Sequence, residues 1–355
     1  VSADIAPALS RFVTVAGAFA VSALMTWSAI RYARFRGLVD LPGRRRSHAT
    51  ATPRGGGIGI VLAAILVCLG VYYVLGQGND PLRLVFALAL VAAVGWIDDH
   101  RGLGALPRIA MHALACTVFL APWLAKLFSI GQDGTSVATA GILFCIAWLG
   151  CIWSINLHNF MDGINGLLAT QAMFVCAALG VLCLASNLPH ALVLFAWAAA
   201  ALGFLPFNFP RARIFMGDVG SGTLGLMIAV GVLWQMAAVD TAPASGLIAC
   251  SVFVTDATCT LLSRMFAGRR WYSAHREHLY QWLVRSGFSH AAVVTLYLCW
   301  NFAVVVPVLY LANRSGAAVA DGWIGLAVAY ALAAAAWLGG KRWCLRHARR
   351  RRRNR

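Results

Sequence analysis

The stretch LLATQAMFVCAALGVLCLASNLPHALVLFAWAAAALGFL, residues 167–205, decides the fold. It holds two apolar runs, centred near Cys176 and Trp197, with only the short polar connection Ser186-Asn187-Leu188-Pro189 between them. Each run is close to the length that crosses a bilayer as a helix. The pattern repeats in both directions along the chain. Further runs centre near Phe19, Leu66, Leu90, Thr117, Phe144, Met227, Val254, Val305 and Leu326. Together they predict an all-α polytopic membrane protein with about eleven transmembrane helices. The run Leu84–Ile97 is short for a span. It crosses only if flanking polar residues join the helix, with Asp98 and Asp99 drawn toward the membrane surface.

Composition agrees. Of 355 residues, 61% are hydrophobic and 12% charged. A soluble domain of that length cannot bury so much apolar surface, so the bilayer must solvate most of it. No polar region is long enough for a second domain. Residues 1–355 therefore read as a single membrane-embedded domain with a basic tail at 341–355. The first run lacks a small-residue cleavage pattern and reads as a retained span rather than a signal peptide. The ten cysteines mostly lie inside apolar runs and form no CxxC pair, as expected of small buried hydrophobes.

The net charge of +17 would suggest nucleic acid in a soluble protein. Here the basic residues sit between spans and read first as topology signals, so nucleic acid is not an expected partner. One set of connections collects Arg31, Arg34, Arg36, Arg44, Arg45, Arg46 and Arg54, then Arg101, Arg108, Arg211 and Arg213. It continues with Arg264, Arg269, Arg270, Arg276, Arg285 and the tail from Lys341 to Arg355. The other set holds Arg11, Arg83, Lys126 and Arg314. The positive-inside rule then predicts a periplasmic N-terminus, a cytoplasmic C-terminus and a functional surface on the cytoplasmic face of a bacterial inner membrane.

The acidic residues of that face form motifs at the ends of apolar runs, where charge is costly. Gly95-Trp96-Ile97-Asp98-Asp99-His100 ends a span with adjacent carboxylates. They repel one another, oppose the helix dipole, and favour a cation, proton or basic partner. Mg²⁺ suits such oxygen ligands and bridges to substrate phosphates. In the segment Asn156–Gly166, Asn156, Asn159 and Asp162 share one helical face before Gly163 breaks the helix and Asn165-Gly166 marks a turn. These amides suit a polar ligand. Phe215-Met216-Gly217-Asp218-Val219-Gly220-Ser221-Gly222 opens another span and reads as a phosphate and metal cradle, with Arg211 and Arg213 nearby. Arg54, ahead of three glycines, again suits phosphate, although the glycines would equally serve close helix packing. His48 lies just upstream. Asp256, Thr260 and Arg264 are spaced by four and line one face, so that Asp256 and Arg264 could pair at the membrane edge. In the loop after them, His275 and His278 lack further ligands for zinc. Phosphate contact or hydrogen bonding by Arg276 and His278 is the better reading.

Carboxylates for a metal, arginines for phosphate and amides for a sugar or base point to phosphoryl transfer from a nucleotide-activated substrate to a lipid. The chain resembles the polyprenyl-phosphate N-acetylhexosamine-1-phosphate transferases from Asp40 to about Gln281, through Pro53-Arg54-Gly55-Gly56, Asp98-Asp99, Asn156–Gly166 and Phe215–Ser221. The resemblance implies transfer of a sugar 1-phosphate from a UDP-N-acetylhexosamine to undecaprenyl phosphate, leaving UMP, with Mg²⁺ or Mn²⁺ as cofactor. It implies Asp218 as the main metal ligand with Asp162 beside it. Asp98 and Asp99 would activate the lipid phosphate or bind metal, with Asp98 the expected base. Asn156, Asn159, Asp162 and Asn165 would bind the nucleotide diphosphate, helped by His48, Arg54, Arg264, Arg276 and His278. A homodimer is a further expectation. Two departures stand out: Asn165 occupies a position where the family commonly has aspartate, and Tyr280 and Gln281 follow His278 where it often has a histidine cluster. Both resemble the O-antigen-initiating branch, which uses UDP-N-acetyl-fucosamine, -quinovosamine or -glucosamine, more than the phospho-muramoyl-pentapeptide branch of peptidoglycan synthesis. A transporter of an anionic substrate is the rival class. It would place acids at the midplane of related halves, and no internal repeat is visible.

Overall fold

The computed structural model describes residues 2–40, 51–75, 80–129, 137–240, 242–270, 275–314 and 317–353. The helices in chain order are α1 Ser2–Arg36, α2 Ile58–Leu75, α3 Asp80–Arg101, α4 Ala105–Ser129, α5 Val137–Met161, α6 Leu167–Cys183 and α7 Leu188–Asn208. They continue with α8 Asp218–Ala238, α9 Ser245–Ala249, α10 Ser251–Phe266, α11 Leu279–Arg285, α12 His290–Trp300, α13 Val306–Asn313 and α14 Val319–Arg353. A two-residue antiparallel pair, β1 Val39–Asp40 with β2 Thr52–Pro53, interrupts the helices. Every expected span centre falls in helix, Val305 in a π turn. Among the described residues, eight helices are long and apolar enough to cross a membrane, and Ile58–Val71 and Leu167–Cys183 are shorter apolar helices. As the short apolar run required, α3 reaches spanning length by taking Asp98 and Asp99 into its last turns. The basic tail continues α14 to Arg353 rather than forming a separate segment.

The fold centres on α8, the most buried of these long helices, packed between α3 and α5. Lipid offers no hydrophobic force to join helices, so close backbone approach and hydrogen bonds must do it. Gly225 supplies both. A Cβ there would lie 2.6 Å from the Ser154 carbonyl oxygen and 2.7 Å from Ile155 Cα. Ser154 Oγ donates to the Gly225 carbonyl at 2.7 Å. On the far side, α1 packs on α2 and α7, and α6 on α7.

Breaks in the helices are repaired by buried amides, because backbone groups at membrane depth have no water to satisfy them. Beyond the end of α8, Gln235 Nε2 donates to Ala242 O at 2.9 Å and Gln235 Oε1 accepts from Gly246 N at 2.7 Å. Between α12 and α13 the π turn Asn301–Val305 precedes Pro307, whose ring has no N–H to give and crowds the preceding turn. Asn301 Nδ2 ties that turn to Gln171 Oε1 of α6 at 2.7 Å.

Gly225→Val should therefore separate α5 from α8. Overpacking of this kind costs about 1–3 kcal/mol, and the variant should melt lower in detergent. Gly150→Val, on the exposed side of α5 with nothing within 4 Å of the new Cβ, should melt like the parent. Equal melting of the two variants would contradict this packing.

Candidate active site

The two glycine-rich stretches pair with each other. Phe215 N donates to Pro53 O at 2.8 Å, Gly56 N to Phe215 O at 2.9 Å, and Gly57 N to Met216 O at 2.8 Å. A Cβ on Gly57 would lie 2.3 Å from Gly220 Cα. Only glycine permits this approach. The pairing carries Arg54 to Asp99, where Arg54 Nη2 donates to Oδ1 at 2.5 Å. The same carboxylate accepts from the first two N–H groups of α8, Asp218 N on Oδ1 at 3.0 Å and Val219 N on Oδ2 at 3.2 Å. Gly217, at φ +76°, lets the chain fold over it, since a Cβ there would sit 2.4 Å from Asp99 Oδ2.

This corrects the expected phosphate cradle. The N–H groups of Gly56 and Gly57 are spent on the chain itself, and the anion at the start of α8 is Asp99. Asp99, expected among the catalytic residues, is 7% exposed and acts as helix cap and arginine partner. Its neighbour Asp98 faces elsewhere. Asp98 accepts from Leu103 N and, at 2.6 Å, from Arg108 Nη1, which also donates to Asp218 Oδ2 at 3.0 Å. Arg108 thus joins the ends of α3 and α8 from the start of α4.

Beside Asp218 lies a cavity of about 310 Å³, lined among others by Asp40, Arg54, Asp162, Asn165, Asp218 and Arg276. Asn208, Gln281 and His290 complete its polar wall. Asp162 follows directly on α5. Its carboxylate makes no hydrogen bond or ion pair among the described residues. Burial, then the nearby Asp218 and Asp99, push its pKa well above the ordinary carboxylate value, against a weaker pull from Arg54. Burial opposes the charge of Arg54, yet Asp99 and Asp218 outweigh it and raise that pKa. The next turn is fixed by Asn208, whose Oδ1 accepts from Gly166 N at 2.6 Å, and by Asn165 Nδ2 donating to Pro210 O at 3.2 Å. Asn165 N also donates to His290 Nδ1 at 3.3 Å.

The residues fit a hard divalent cation. Around the cavity and its rim, Asp40, Asp98, Asp99, Asp162 and Asp218 stand against Arg54, Arg108 and Arg276, a formal excess of two negative charges when all five are ionised, which burial opposes at Asp162 until a cation arrives. No group of three or more His, Cys, Asp or Glu among the described residues is arranged to enclose a metal. A closed cage is not what Mg²⁺ needs, because it binds through one or two carboxylates and completes its shell with water and substrate phosphates.

Several expected contacts lie away from this cavity. Asn156 and Asn159 are half-buried on α5, and Asn156 Nδ2 donates to Ile152 O of its own helix at 2.7 Å. His278 is 2% exposed and stacks between Phe160 and Tyr280. Arg264 does not take up the pairing with Asp256 that their shared face allows. It bonds Glu277, which also takes Arg269 Nη1 at 3.0 Å, because the loop folds back over α10. Arg213 donates to Pro206 O at 3.1 Å and lies over the Phe207 ring. His48 lies outside the described residues. Spacing along the chain missed Arg108, Asn208, Gln281 and His290 as members of the site. Arg108 alone left a signal, a cation one turn into the helix that follows Asp98-Asp99.

Comparison with known proteins adds a family. A family model described as glycosyl transferase family 4 matches residues 81–236. The decaprenyl-phosphate N-acetylglucosaminephosphotransferase of Mycolicibacterium smegmatis is 33% identical over 309 residues, 77% of this chain and 75% of that protein. Its namesake from Mycobacterium tuberculosis is 34% identical over 302 residues, 74% of this chain and 73% of its own. The undecaprenyl-phosphate alpha-N-acetylglucosaminyl 1-phosphate transferase of Escherichia coli is 29% identical over 304 residues, 82% of this chain and 81% of its own.

The geometry separates the aspartates by what their loss does. Asp99→Ala strands Arg54 and two N–H groups of α8, and removing one partner of a buried ion pair costs about 3–5 kcal/mol. It should melt well below the parent, while Asp218→Asn should not. Asp162→Asn should act in the opposite sense in EDTA. With its pKa raised in the fold, Asp162 binds an extra proton in the folded state between the ordinary carboxylate pKa and the raised one. Its contribution to stability is present at low pH and lost as pH rises through the raised pKa. The Asn variant should therefore melt above the parent at neutral pH, and the gap should close on acidification. A gap that widens on acidification would contradict the environment described.

Proposed function

The chain belongs to glycosyl transferase family 4, and from that premise we propose that it transfers an N-acetylhexosamine 1-phosphate from a UDP-sugar to undecaprenyl phosphate. An acceptor phosphate oxygen attacks the phosphorus next to the sugar, a new P–O bond forms, and the bond to the bridging oxygen breaks so that UMP leaves with that oxygen. The observation that carries this reading is Asp162, a carboxylate without a partner among the described residues, sharing a cavity with Asp218, Arg54 and Arg276. Supporting it, the named relatives act on polyprenyl phosphates.

In this reading Asp218 and Asp162 hold Mg²⁺, with Mn²⁺ able to replace it. The neutralisation of diphosphate charge that the metal supplies when bound makes UMP a better leaving group. Arg54 and Arg276 stabilise charge on the phosphoryl group in transfer. Asp98, oriented by Arg108, serves the acceptor side, where a phosphate that is already an anion needs little help from a base. Asn165 faces the sugar or the base, while the amides of Asn208 and Gln281, already bonded to Gly166 and Ile214 and to His278 and Tyr280, hold the wall around it. Asn156, Asn159, Arg264 and His278 support these groups from behind the cavity wall. The donor sugar is of the N-acetyl-glucosamine, -fucosamine or -quinovosamine type, and the product begins an O-antigen or related envelope glycan. The site faces the cytoplasm, where UDP-sugars are made, and the basic connections beside it fit that side of the inner membrane.

Purified protein given undecaprenyl phosphate, Mg²⁺ and each of these UDP-sugars should release UMP with at least one, and EDTA should stop it. Asp218→Asn should lower the rate by about 10²–10³-fold, as the loss of a group that stabilises developing charge does. No UMP with any UDP-sugar would reject the reaction, and full activity in Asp218→Asn would reject the role of that carboxylate.

A further inference from the structure

Tyr280 and Gln281 stand where the resemblance leads one to expect histidines, and both have hydrogen-bonding work in this chain. Tyr280 is fully buried. Its hydroxyl donates to Phe160 O at 2.9 Å and accepts from Gln281 Nε2 at 3.1 Å. Phe160 lies in the last turn of α5, whose carbonyls have no partner within the helix, so Tyr280 satisfies one of these orphans from another segment. The same hydroxyl presses on the turn beyond, since a Cβ on Gly163 would lie 2.1 Å from it. Between Phe160 and Gly163 comes Asp162, which has no side-chain partner of its own among the described residues.

The other end of Tyr280 is anchored as firmly. Asp256 of α10 is 2% exposed. Its Oδ1 accepts from Leu279 N at 2.7 Å and Trp337 Nε1 at 3.2 Å, and its Oδ2 from Tyr280 N at 3.3 Å and the Tyr297 hydroxyl at 2.6 Å. Asp256 thus caps α11 and fixes the loop that brings Arg276 and Gln281 to the cavity. We propose that Tyr280, held by Asp256, is a positioning residue that locks the Asp162 turn to the Arg276–Gln281 loop, so that the carboxylate and the donor-side groups hold one spacing. The inference rests on the transferase reading given above. It assigns Tyr280 no contact with substrate. It makes the effective placement of Asp162 depend on a hydroxyl that a phenylalanine lacks.

Tyr280→Phe keeps the ring and its packing and removes only the two hydroxyl contacts. Loss of one such bond is worth about fivefold in an equilibrium. The variant should show a UDP-sugar KM raised about fivefold, with kcat nearly unchanged. The Mg²⁺ concentration that half-saturates the thermal shift of the substrate-free protein should rise in parallel. Asp256→Asn should move both quantities the same way and further, because either orientation of the amide turns an NH₂ toward donors. In an Asp162→Asn background, Tyr280→Phe should leave the residual Mg²⁺ response untouched. Wild-type KM and Mg²⁺ response in Tyr280→Phe would overturn the proposal, as would a loss of melting temperature and kcat with KM unmoved. If the parent releases no UMP with any UDP-sugar, the transferase reading fails instead, and the Mg²⁺ thermal shift alone decides whether Tyr280 places Asp162.

Discussion

The carboxylate of Asp99 holds the active end of the molecule together. Two adjacent carboxylates at the end of α3 repel one another and lie at the negative end of their own helix dipole. Asp99 escapes that conflict by turning to the opposite pole of another helix, where the first N–H groups of α8 and the guanidinium of Arg54 receive it. Charge-assisted bonds of this kind are strong where water is scarce. The contact sets the height and rotation of α8 at its first residue, Asp218, and hence the place of the carboxylate on which the cavity depends. The glycine pairing between residues 53–57 and 215–216 brings Arg54 to the same point.

A division of labour among the acids follows. Asp99 is satisfied within the protein, and Asp98 and Asp218 share Arg108. Asp162 makes no ion pair among the described residues, in a cavity where the carboxylates outnumber the arginines. A protein gains no stability from such a group, which is why the proposed function gives it a ligand to meet. The proposed diphosphate and divalent cation would answer the need, with the cation held by Asp162 and Asp218 and the phosphates by the arginines.

Much of this was legible in the sequence. The apolar runs located the helices, because in lipid a spanning segment must satisfy its backbone internally and so must be long and continuous. The need for α3 to include Asp98 and Asp99 followed from the shortness of Leu84–Ile97. The grouping of Asp162, Asp218 and Arg54 followed from their place at ends of runs on one side. What spacing could not give was the direction each side chain takes once helices meet. The glycine runs looked like anion cradles, yet their N–H groups serve the chain. Asp256 and Arg264 share a helical face, yet the returning loop draws Arg264 to Glu277 and gives Asp256 to α11. His290 and Asn208 carried no signal of membership in the site, because the site residues they bond, Asn165 and Gly166 respectively, are more than forty residues away.

A structure of the protein with Mg²⁺ and a UDP-sugar bound tests this division most directly. The expected result is a cation against Asp162 and Asp218, with Asp99 still bonded to the N–H groups of Asp218 and Val219 and to Arg54. A cation ligated by Asp99, with a substrate phosphate on the N–H groups that begin α8, would contradict it.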